Sequence, residues 1–108
     1  MVEKNFKKLS VELVAEVYNL VKKLPEEEET VIASLLKNAA IEVSTNIAKS
    51  EAALSEEGRR EFLSAAKGKI AVVETLILLC VELKYLGEAE VQAALNSYSE
   101  LGRILNSL

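Results

Sequence analysis

Few side chains in this 108-residue sequence could do chemistry, and their types set narrow limits. Metal or acid–base work would fall to Glu42 and Glu74, nucleophilic work to Cys80, and polar binding to the run Ser44, Thr45, Asn46. The chain has 0 His, no Asp and 0 Trp, and every acidic residue is one of 17 Glu. Without His there is no Ser–His or Cys–His pair, no histidine zinc site and no imidazole base. Helical bundles can hold metals between helices, but the di-iron pattern needs Glu-x-x-His. Carboxylates alone could bind a hard divalent ion; a solvated or hydrogen-bonded Glu is the simpler reading of Glu42 and Glu74. Cys80 stands among Leu78, Leu79 and Val81, surroundings that raise a thiol pKa and make it an inert core residue. Asn46 could bond a nearby backbone group and fix register, or line a binding surface, but it has no catalytic partner in the sequence. The expectation is no catalytic, cofactor-binding or metal-binding residue, and no enzyme.

These residues need elements to hold them, and the sequence supplies only helices. It is 50% hydrophobic and 28% charged with 1 Pro and 4 Gly, which excludes disorder, collagen and a loop-rich scaffold. Its length fits one domain, residues 1–108. A first helix is expected over residues 10–24, with Ser10 as N-cap, apolar residues three and four apart, and Lys22 and Lys23 in the last turn. Pro25 ends it and opens the second helix, with Glu26, Glu27, Glu28 and Glu29 in the first turn. That second helix fades near Ser50, before a loop over residues 50–55. Ser55 caps the third, which runs to Leu86 and is broken by Gly87. The fourth spans residues 88–106. No alternating strand pattern and no hairpin signal appears. Short connections between helices of similar length predict an antiparallel, up-down-up-down four-helix bundle.

The third helix carries apolar residues over an arc of roughly 200°, about twice what a surface helix needs. The first helix is similarly broad. In a bundle of four no helix is surrounded, so both are expected to face a neighbouring subunit as well as their own core. Leu63, Ile70, Val72, Ile77, Leu79 and Val81 are the expected oligomer interface. A mean hydropathy of +0.17 agrees, because a domain this small hides only about two thirds of its unfolded surface. Gly68, with Ala65 and Ala66, would let a partner helix approach closely; Ala39 and Ala40 on the second helix are natural opposites.

The net charge of −4 argues against general binding to phosphate backbones. Basic charge collects at the amino end, where residues 1–24 carry +2 against −4 over residues 25–54. Lys4, Lys7, Lys8, Lys22 and Lys23 are the candidate nucleic-acid contacts, while Arg59 and Arg60 are offset by Glu56, Glu57 and Glu61. No RNP, zinc-finger or Gly-rich phosphate loop is present. One cysteine makes no internal disulfide, in keeping with a reducing cytoplasm. No signal-peptide core follows the basic start, and the longest apolar run, residues 76–81, is far short of the about 20 residues of a membrane helix.

Several stretches carry a family likeness. Ala39-Ala40-Ile41-Glu42-Val43-Ser44-Thr45-Asn46-Ile47-Ala48 is similar to Ala-Ala-Val-Ser-Ile-Pro-Ser-Asn-Ile-Ala-Glu-Gly of the bacterial four-helix-bundle proteins first noticed as reading frames in intervening sequences of 23S ribosomal RNA genes. Phe62-Leu63, Gly68-Lys69-Ile70, Glu74-Thr75 and Leu83-Lys84-Tyr85-Leu86 match that family's Phe-Leu, Gly-Ser-Leu, Glu-Thr and Leu-Gly-Tyr-Leu in order and spacing, and Leu24-Pro25 stands where it has Phe-Pro. The resemblance runs from Phe6 to the end. It implies a four-helix bundle assembled into a ring-like homo-oligomer, a pentamer, and implies no enzyme; together with the missing catalytic residues, the reading is a non-enzymatic scaffold or adaptor of unassigned biological role. A related branch, the accessory proteins of diversity-generating retroelements, implies the alternative of nucleic-acid binding beside a reverse transcriptase or ribosomal RNA. Here Lys37-Asn38 replaces the family's Arg-Arg, Lys49-Ser50 replaces Glu-Gly, and the first-helix Trp is missing. The loss of the basic pair weakens the nucleic-acid alternative more than the fold.

Overall fold

Apolar residues three and four apart demand helix, and helix takes up almost the whole chain. A computed structural model describes the backbone of residues 2–108 and the side chains of residues 6–108. It contains α1 (Val2–Val21), α2 (Ile32–Ala52), α3 (Glu56–Glu82) and α4 (Glu88–Asn106), with one short 3-10 turn at Glu26–Glu28 and no strand among the described residues. Each helix buries one stripe: Phe6, Leu13, Val17 and Leu20 from α1, Leu36, Val43 and Ile47 from α2, Ile70, Val73 and Ile77 from α3, and Val91, Tyr98, Leu101 and Leu105 from α4. These stripes meet in a single core.

α2 and α3 share the most extensive packing, whereas among the described residues the backbones of α1 and α3 make no close approach. Side-chain contacts set the register. Between α1 and α2, Lys7 pairs with Glu51 at 2.7 Å and the Lys37 ammonium stands 5.3 Å from the centre of the Tyr18 ring. Between α2 and α3, Lys69 pairs with Glu42 at 3.2 Å and Lys49 lies over Phe62. Lys67 donates to Asn106 from α3 to α4. For α1 with α2, and for α2 with α3, the residue numbers rise along one helix as they fall along its neighbour.

α1 stops at Val21, so Lys22 and Lys23 lie just past its last turn rather than in it. Three further helix boundaries differ from expectation. Ser10 is no N-cap; it is buried inside α1, where its hydroxyl donates to the Lys7 carbonyl (2.8 Å) and accepts from the Ser44 hydroxyl of α2 (3.1 Å). A small polar side chain satisfied from both sides can occupy a core position without breaking the helix. Pro25 does not open α2. Its ψ of 153° is extended, the four adjacent glutamates that follow form the 3-10 turn and its end, and α2 starts only at Ile32. Glu28 is held in that turn by the Tyr85 hydroxyl, which donates to its carboxylate at 2.8 Å.

The third difference lies at the end of α3, which stops at Glu82 rather than Leu86. Lys84 takes a left-handed conformation (φ 65°), its amide donating to Val81 and that of Tyr85 to Cys80. This is a Schellman closure with lysine at the position usually given to glycine. Gly87 instead opens α4, and its amide donates to the Glu90 carboxylate at 2.7 Å. That bond, with the Lys23 ammonium at 2.8 Å, holds the Glu90 carboxyl below its ordinary range. A left-handed residue other than glycine costs about 1 kcal/mol. Lys84→Gly is therefore expected to raise stability by about that amount and the melting temperature by several degrees, read by thermal circular dichroism. An unchanged or lowered midpoint would contradict this account of the cap. The Ser55 cap is as expected, its hydroxyl accepting from the Gly58 amide at 3.0 Å.

Candidate interaction surfaces

The residues with chemical potential are dispersed by the fold. Cys80 is fully buried, and desolvation, followed by the charge of Glu28, pushes its thiol above the ordinary range. Glu42 is exposed on α2 and paired with Lys69, a solvent-screened contact of modest value. Glu74 lies on another side of α3, in a crevice of about 270 Å³ against α4 that Lys67, Tyr98, Arg103 and Asn106 also line, and desolvation raises its carboxyl. The two glutamates thus belong to different surfaces. Among the described residues no group of three or more His, Cys, Asp or Glu is placed to hold a metal. Asn46 and Thr45 are turned back on their own helix, both donating to the Glu42 carbonyl.

The six expected interface residues divide between core and surface. Leu63, Ile70 and Ile77 are at most 5% exposed within the single subunit, so their area is already used and they are corrected to core residues. Val81 is half-buried against that core, while Val72 and Leu79 stay 40% and 39% exposed. The outward part of α3 is a row at heptad spacing: Glu61, Ala65, Gly68, Val72, Thr75, Leu79 and Glu82, every one exposed. A Cβ placed on Gly68 would meet no atom within 4 Å, so the middle of this row is open. Across α2, on α1 and the turn that follows it, a second exposed row has the same spacing: Lys8, Val11, Ala15, Tyr18 and Lys22, with Val11 60% exposed. Val31, the residue before α2, and Leu35 within it add exposed apolar area. Reading the sequence missed the exposed residues of α2, because they follow the same apolar spacing as its buried stripe.

The candidate basic contacts do not form one patch. Lys7 and Lys23 are taken up in ion pairs with Glu51 and Glu90. Lys8 and Lys22 are exposed and make no ion pair among the described residues, but they sit near opposite ends of α1, roughly 21 Å apart at 1.5 Å per residue. The side chain of Lys4 lies outside the described residues. No helix among the described residues is long and apolar enough to cross a membrane.

The family model described as 23S rRNA-intervening sequence protein matches residues 3–107. No curated protein matches the chain. Among solved structures, it is similar to a protein of unknown function from the S23 ribosomal protein family of Bacteroides thetaiotaomicron. The TM-score is 0.87 at 23% identity, over 94% of this chain and 95% of that one, a likeness that shows the shared fold.

Proposed function

This chain belongs to the 23S rRNA-intervening sequence protein family, and we propose that it is a non-enzymatic scaffold or adaptor of the cytoplasm. Its helices form an antiparallel up-down-up-down bundle, and the bundles assemble into a homo-oligomeric ring, a pentamer, that presents its remaining surface to a protein partner. One observation carries this reading: Val11, Val31, Leu35, Val72, Leu79 and Leu83 are each at least 39% exposed in the isolated subunit. Aliphatic side chains exposed on this scale mark surfaces for association, and Val11, Val72 and Leu79 among them lie in the two helix rows. The opposed residue numbering of the helix contacts supports the antiparallel arrangement.

Native mass spectrometry of protein purified from its own host at low salt tests the proposal. A bare homo-oligomer is the expected result. A monomer at micromolar concentration would overturn the scaffold reading. Co-purifying RNA or DNA would replace it with an accessory nucleic-acid-binding role, in which Lys8 and Lys22, exposed and outside any ion pair among the described residues, are the candidate contacts.

A further inference from the structure

We infer that the α1 row of one copy packs against the α3 row of the next, so that the subunits join head to tail; this rests on the oligomeric reading above. Both rows step by three and four residues, the spacing of a seam between two helices. Their chemistry is complementary rather than alike. The α1 row is apolar at its centre, with Lys8 at one end and Lys22 at the other. The α3 row is apolar or small at its centre, with Glu61 and Glu82 at its ends. None of these four charges is in an ion pair among the described residues.

Size complements charge. The α1 row offers Val11 and Tyr18, whereas the α3 row has its open ground at Ala65 and Gly68. Pairing like with like would set Lys against Lys or Glu against Glu, which costs several kcal/mol where such charges meet. The rows stand on helices whose backbones, among the described residues, make no close approach, so one subunit can offer both at once. Two different faces, each used once per copy, generate a ring if the rotation closes.

Charge exchange tests the pairing. Lys8→Glu with Lys22→Glu, and separately Glu61→Lys with Glu82→Lys, should each weaken assembly about a hundredfold in sedimentation velocity. All four exchanges in one chain should restore it. Circular dichroism checks that each variant is folded. A second readout leaves the charges alone: an Ala15→Cys chain mixed with a Val72→Cys chain should be joined by a bifunctional maleimide, since the row centres meet whichever way the helices run. A wild-type oligomer indifferent to the exchanges, or joined only Ala15→Cys to Ala15→Cys, overturns the row pairing and leaves the scaffold reading standing. A monomeric wild type overturns both.

Discussion

Ile77→Lys is expected to abolish folding, whereas Leu79→Lys, two residues along the same helix, should leave a folded subunit that no longer assembles. Ile77 is fully buried. Its replacement forfeits about 1.5–3 kcal/mol of apolar burial and forces an ammonium into a site with no partner, a cost of several kcal/mol more. Together these approach the about 5–15 kcal/mol by which a domain of this kind is stable. Leu79 is 39% exposed, so a lysine there can extend into water without unfolding the bundle. Far-UV circular dichroism with size-exclusion chromatography separates the two outcomes. Folded Ile77→Lys protein, or Leu79→Lys of unchanged oligomeric size, would contradict this division of α3 into an inner and an outer row.

The second large effect is expected at Tyr98, where two substitutions should move stability in opposite directions. Tyr98 is 0% exposed, and its buried hydroxyl has no hydrogen-bond partner among the described residues. An unsatisfied buried hydroxyl costs about 1–3 kcal/mol. Tyr98→Phe removes the hydroxyl and keeps the ring, so it should stabilise the protein by about 1–2 kcal/mol. Tyr98→Ala removes the largest fully buried side chain and should cost about 3–5 kcal/mol.

Alkaline titration gives an independent check on the same group. Burial holds the folded-state phenol pKa above its ordinary value of about 10. Above that value the unfolded chain releases a proton that the folded chain retains, so this group makes stability fall as pH rises. The advantage of Tyr98→Phe over wild type should therefore widen above about pH 10 in urea unfolding. A Phe variant no more stable than wild type would show that the hydroxyl is satisfied in solution.

Much of this architecture was legible in the sequence, for identifiable reasons. Val91, Ala94, Leu95, Tyr98, Leu101 and Leu105 in the fourth helix read as one narrow stripe because the residues between them are mostly polar or small; all are buried except Leu95, which is half-buried against the core. The Ser55 cap was readable because a serine before two glutamates and a helical run has one economical use. In α3 the pattern could not divide inner from outer positions. Ile77 and Leu79 are both aliphatic, and only the placement of α2 and α4 decides which one is covered. Lys84 was illegible for the opposite reason: its left-handed backbone contradicts residue preference, and Gly87 three positions later offered a more conventional stop. Ser10 was misread because a polar residue at a core position resembles a boundary until its partner, Ser44, is known. The candidate site was legible as an apolar excess on two helices; its two rows emerged only once the buried faces were subtracted.

The close packing of α2 on α3 has a consequence for how the chain acquires and loses its structure. These two helices are joined by only a few residues, so their contacts close a short loop at little entropic cost and can form early. α1 and α4 must then dock onto an existing hairpin, and α4 does so beside a crevice. The α2–α3 pair is thus expected to be the best-protected unit, and partial opening should release α1 and α4 before the pair itself separates. Because α1 carries the basic row, opening of that helix would remove half of the proposed assembly surface while the other half, on α3, kept its shape.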